Sequence, residues 1–154
     1  MDPADASGLE LEIAPVPGAV YTTRYLPLGV LFVNRGTTPV RILDCFHPLP
    51  VFFSFEMLDA EKTPFNLPGG GKIDFGPSQP TETELGPGSR RRIEIDLAGL
   101  VTEPLRPGPY SIAATYHNQY GERCFRGTLR SNTITIEVQQ SRRGRGDGSP
   151  ENVG

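Results

Sequence analysis

Three short segments alternate apolar and polar residues with a period of two, and a helical period is hard to find anywhere in the chain. In LELEI (9 to 13), Leu9, Leu11 and Ile13 share one face, and Glu10 and Glu12 share the other. RRIEIDL (91 to 97) sets Ile93, Ile95 and Leu97 against Arg92, Glu94 and Asp96, and NTITIEV (132 to 138) turns Ile134, Ile136 and Val138 to one side. Side chains of a strand point alternately to its two faces, so each segment predicts a half-buried strand with one face on a core and one in water. Antiparallel sheets have this habit.

Four further segments read as strands between turn signals: LPLGVLFVN (26 to 34), PVRILDC (39 to 45), VFFSFEML (51 to 58) and PYSIAATYHN (109 to 118). With 9 to 13, 90 to 97 and 131 to 138 they make about seven strands, punctuated by an abundance of Gly (18) and Pro (16). The expected fold is all-β, an Ig-like Greek-key sandwich of about seven antiparallel strands over residues 8 to 138. Residues 1 to 7 are expected to be a flexible N-terminus. The tail from 139 to 154, with almost no apolar residues, is expected to be disordered. A single helical turn is expected near LAGLVTE (97 to 103). The connection 59 to 89 is far longer than the usual ~4 to 6 residues, which marks it as functional, disordered or inserted. Its GGG lacks the following Lys-Ser or Lys-Thr of a phosphate cradle.

The formal net charge of −3 gives no general attraction to phosphate backbones, so nucleic acid is not expected as a partner. No run approaches the ~20 apolar residues of a membrane helix, and no membrane insertion is expected. The opening MDPADASGLELEI lacks the apolar core of an export signal, which points to the cytoplasm; a trimmed secreted or periplasmic form is the alternative. Oligomeric state is not legible here.

Cys45, His47, His117 and Cys124 are the residues with metal-ligand chemistry. If strand 109 to 118 lies antiparallel beside strand 39 to 45, Cys45 and His47 meet its start while His117 and Cys124 flank its far end. At ~3.3 Å per residue the two pairs stand on the order of 20 Å apart, too far for one ion, and a Cys45–Cys124 disulfide is disfavoured in the same way. A nucleophilic pair would be Cys45 with His47 or Cys124 with His117, and neither has a recognisable orienting residue or oxyanion loop. HExxH, GxSxG and GxGxxG are absent. The expectation is a protein without catalysis, cofactor or metal, and with two reduced thiols.

Surface readings remain. In VFFSFEM, period two turns Val51, Phe53, Phe55 and Met57 inward and Phe52 outward, where Phe46 and Leu49 would extend a patch. Residues 26 to 34 are apolar on both faces, as in a central strand, and Arg90, Arg91 and Arg92 read as a solubilising strand entry. The RGD at 145 to 147 reads as a chance occurrence in a Gly/Arg-rich tail.

The hexapeptide LRPGPY (105 to 110) fits the tyrosine corner of Greek-key sandwiches, with Leu105, Pro107, Gly108 and Tyr110 fixing a crossing. Together with VLFVNRGTTPVRIL and FRGTLRSNTITIEV, it resembles bacterial Ig-like domains found beside metalloendopeptidases of the deuterolysin (aspzincin) type. The pair N-x-G-x-x-P-V and P-G-x-Y is also similar to the bacterial intracellular proteinase inhibitor domain. The first resemblance implies a non-catalytic interaction module, and the second an inhibitor that inserts a loop into a protease. A small Cys-dependent enzyme is the remaining class. The residues expected to meet a protein partner, a protease in the inhibitor reading, are Phe52, Phe65, Asn118, Gln119, Tyr120, Glu122 and Arg123.

Overall fold

A computed structural model describes residues 8–46, 49–65, 67, 80–121 and 123–140. In chain order the elements are β1 (Leu9–Pro15), β2 (Pro27–Asn34), β3 (Val40–Leu43), a helical turn α1 (Leu49–Phe52) and β4 (Phe53–Leu58). They continue with β5 (Glu82–Leu85), β6 (Arg90–Asp96), a 3-10 turn (Leu97–Gly99), β7 (Gly108–Asn118) and β8 (Gly127–Val138). All strand pairs are antiparallel, in the orders β1-β2-β6, β3-β5 and β4-β7-β8.

The alternating faces fall as the sequence predicts. Leu9, Leu11 and Ile13 are buried in β1, and Glu10 and Glu12 on the opposite face are held by Arg35. Strand β2 is central in its sheet and apolar on both faces; Leu28, Val30, Phe32 and Val33 are all buried. Phe32 meets Phe53 of β4 (6.2 Å) and Tyr116 of β7 (4.9 Å), which packs the first sheet on the third and makes the fold an Ig-like β-sandwich. The Asn132 amide of β8 bonds both N–H and C=O of Ile13, satisfying backbone groups on the outer edge of β1. At the β7 bulge between Ala113 and Thr115, the Ala114 N–H finds Ser131 Oγ instead of a backbone partner.

Five expectations are corrected. Residues 49–52 form a helical turn, so the strand begins at Phe53 rather than Val51, and Phe52 is only 1% exposed instead of pointing outward. Phe46 is buried against it, so the expected apolar patch is part of the core. The long connection contains a strand, β5, which pairs with β3. Strand β7 hydrogen-bonds to β4 and β8, not to β3, so the order used to separate the Cys/His pairs does not hold. Arg91 is a clamp rather than a solubilising residue, donating to the carbonyls of Leu43 and Asp44 and lying over the Phe46 ring.

Candidate functional site

Strand β7 carries a candidate site at each end. Its start is the corner. The Tyr110 phenol accepts from Arg106 N (3.1 Å) and donates to Arg106 O (2.8 Å), closing the loop that enters the strand. Gly108 has φ +140°, a conformation that side chains other than glycine's rarely adopt, and Leu105 packs on the core while Pro107 is exposed. The hydrogen bonds of Tyr110 and the positive φ of Gly108 thus shape the backbone of this loop. Phe65 sets its ring edge-on to Tyr110 at 5.5 Å, where the long connection leaves β4. Both line a cleft of about 500 Å³ between residues 59–65 and 103–110.

The far end of β7 is the turn into β8, and one amide organises it. Asn118 is 6% exposed; its Nδ2 donates to Tyr120 O (2.8 Å) and Phe125 O (2.9 Å), and its Oδ1 accepts from Tyr120 N (3.0 Å). A partner contact was expected of Asn118, but its side chain serves the turn from inside, because a buried amide can replace the strand ladder that the turn interrupts. The turn is tied outward as well. Phe125 N donates to Arg41 O (2.8 Å) of β3, and Glu82 of β5 accepts from Arg41 Nε (3.1 Å) and Arg123 N (3.4 Å). Gly121 has φ +89°, and a Cβ there would lie 2.5 Å from Cys124 Sγ and 2.8 Å from Glu82 Oε2. Only glycine fits.

On this frame Gln119 and Arg123 are exposed and Tyr120 is half-buried, its ring edge-on to Phe52 at 6.0 Å. Phe52 thus supports the turn from below and does not itself reach the surface. Phe65 stands at the other end of the molecule, since the eight residues from Tyr110 to Asn118 span roughly 26 Å of strand. Glu122 lies outside the described residues, as do His47 and the RGD segment. A shallow depression of about 280 Å³ beside the turn is lined by Val51, His117, Asn118, Gln119, Tyr120 and Thr128, with Gly127.

Cys124 is buried and Cys45 exposed, and both are free. Burial, then the charge of Glu82, pushes the Cys124 thiol up, against the opposing hydrogen bond from Asn118. It remains a neutral thiol at neutral pH and bonds Tyr120 O at 3.2 Å. His117 points to the face of β7 opposite Asn118, whose amide holds that sulfur at 3.5 Å, so the two do not form a nucleophile and base. Among the described residues, no group of three or more His, Cys, Asp or Glu side chains could hold a metal ion. Glu82, not singled out from sequence, sits in TETEL, where Thr83 and Leu85 alternate with Glu82 and Glu84. That alternation is the signal that could have revealed β5.

No family model matches the chain. It is similar to a urease subunit gamma/beta of Streptomyces avermitilis, 34% identical over 98 residues that take in 60% of this chain and 41% of that protein. The chain thus spans less than half the length of this relative. Among solved structures, a CARDB domain from Pyrococcus furiosus in complex with di-metal ions shares 16% identity, with 86% of this chain and 93% of that one covered and a TM-score of 0.39. A β-glucosidase from Listeria innocua in complex with glucose shares 12% identity, with 86% and 16% covered and a TM-score of 0.42. Likenesses at those scores identify neither ligand nor activity. No helix among the described residues is long and apolar enough to cross a membrane.

Proposed function

We propose that the protein is a non-catalytic interaction module that binds a protein partner through the β7–β8 turn. The supporting observation is the construction of that turn. Asn118, Glu82 and the Arg41 carbonyl hold its backbone from three directions, while Gln119, Tyr120 and Arg123 are left at the surface. A loop fixed before binding loses little conformational freedom on binding, and Tyr and Arg are the side chains that most often anchor protein interfaces.

The similarity to a chain named as a subunit supports the same reading, and makes a urease-type assembly the first partner class to test. The narrower readings, a peptidase accessory domain or a proteinase inhibitor, rest on turn motifs whose side chains have structural duties. Asn34 of N-x-G-x-x-P-V is fully buried and bonds Thr38 O, Leu85 O and Gly36 N, and Tyr110 closes its own loop. Such motifs track the fold rather than the partner.

The test is affinity capture from the host of the wild-type chain and of Gln119→Ala/Arg123→Glu, which changes exposed side chains only. Proteins retained by the wild type and lost from the variant, with urease subunits sought among them, are the expected result. Identical capture by both chains would remove the turn from the proposal. Turnover of urea by the purified chain alone would replace the module with an enzyme.

A further inference from the structure

We propose that the protein pairs with a second copy of itself along the outer edge of β6, joining the two β1-β2-β6 sheets antiparallel about a two-fold axis at Ile93. Strand β6 ends its sheet: it pairs with β2 on one side and, among the described residues, with no strand on the other. Just beyond its two ends, Leu97 N donates to Leu26 O and Ser89 O accepts from Asn34 N, both at 2.9 Å, so the odd-numbered positions of β6 are the ones that bond to β2. Backbone groups alternate in direction along an antiparallel ladder. The N–H and C=O groups of Arg90, Arg92, Glu94 and Asp96 therefore face the bare edge, and such a row is a template for another strand.

The side chains of those same four residues select the partner. All are exposed, and they run along the strand as two cations followed by two acids. Charges on an edge usually guard it, because they set like against like. An antiparallel copy centred on Ile93 does the reverse: it sets Arg90 opposite Asp96 and Arg92 opposite Glu94, on both sides of the axis. A slip of two residues either way sets Arg92 opposite Arg92 or Glu94 opposite Glu94, so the charges fix the register as well as the partner. Their present engagements are light. Arg92 holds Glu94 of its own strand at 3.4 Å with both side chains about half exposed, a pair worth little, and Asp96 accepts from Leu26 N and Ala98 N through Oδ1. On the inner face Ile93 and Ile95 are only half-buried, whereas Leu9, Leu11 and Ile13 of β1 are buried. An added strand brings Ile93 against its own copy and the stem of Arg91 against Ile95. The contact uses no residue of the β7–β8 turn, so it stands or falls separately from the proposed module.

The test is sedimentation of the full 154-residue chain over a range of concentrations, where the mass should climb from that of one chain toward that of two. Arg92→Glu and Glu94→Arg each set like charges against each other twice per dimer, and each should raise the dissociation constant about tenfold or more. Both side chains are exposed, and circular dichroism confirms that the variants fold. Mixed together, the two single variants should pair again, since each then meets the opposite charge on the other, and the double variant Arg92→Glu/Glu94→Arg should dimerise like the wild type. Ile93→Cys in a Cys45→Ser chain should form an intermolecular disulfide, because the axis brings the two Cα atoms to about 4.5 Å. The mass of one chain at every concentration would overturn the proposal. So would a dimer that the single variants leave intact, or one that neither the mixture nor the double variant restores. A chain that dimerises without the disulfide at position 93 would also overturn it, by placing the axis elsewhere.

Discussion

Two buried tyrosines of β7 should respond to loss of their hydroxyls with opposite signs. Tyr110 makes two hydrogen bonds with the Arg106 backbone, at 2.8 and 3.1 Å. Each is worth about 0.5–1.5 kcal/mol net, and Arg106 is exposed, so water can recover its N–H and C=O when the phenol is removed. Tyr110→Phe should therefore cost about 1 to 2 kcal/mol, a fall in the thermal midpoint of about 3 to 6 °C for a domain of this size. Tyr116 is fully buried, and its hydroxyl has no hydrogen-bond partner among the described residues. An unpaired buried hydroxyl costs about 1–3 kcal/mol. Tyr116→Phe keeps the ring contacts with Phe32 (4.9 Å) and Phe53 (5.2 Å) and removes that burden, so its midpoint should stay level or rise. Urea unfolding of the two variants beside wild type, followed by far-ultraviolet circular dichroism, gives the comparison. Equal losses in both would refute the reasoning, since it would mean that ring packing rather than hydroxyl satisfaction sets the cost.

Asn118→Ala should destabilise by about 3 kcal/mol, because it strands several buried groups of the β7–β8 turn at once, and chemical denaturation reads this directly. Cys45 should react with an alkylating probe in the folded chain while Cys124 is modified only on unfolding, a difference that mass mapping of the labelled peptides resolves. The Cys124 thiol and the Tyr116 phenol are both raised from their ordinary values of 9.0 and 10.0, chiefly by burial. Above about pH 9 the unfolded chain thus releases protons that the folded chain retains; stability should be level below that pH and fall as pH rises. Denaturation midpoints measured from neutral pH upward should show the fall, and Tyr116→Phe should make its upper part shallower.

The faces of β1, β6 and β8 were legible because each alternates apolar and polar residues, and burial follows that alternation whatever the pairing order. Tyr110 was legible for a related reason, as its bonds close within four residues. Phe52 was not. VFFSFEM is apolar in both phases where it begins, so period two cannot say where the strand starts, and the helical turn at 49–52 turns Phe52 inward beside Phe53. Strand β5 hid in a polar segment of four residues whose only deeply buried side chain is Leu85. Pairing order was out of reach because register between distant strands is set by packing across the sandwich, such as Phe32 against Tyr116. Asn118 was misread as surface because a polar residue at a turn has two uses, facing water or replacing the ladder, and sequence does not separate them.

The most direct test of an interaction module built on the β7–β8 turn is photo-crosslinking in the host. A photoreactive residue is placed at Gln119 in one chain and at Val20, on the loop between β1 and β2, in another. Discrete protein adducts from position 119 and none from position 20 are the expected result. Adducts from position 20 alone, or none from 119 with the chain folded, would contradict the account.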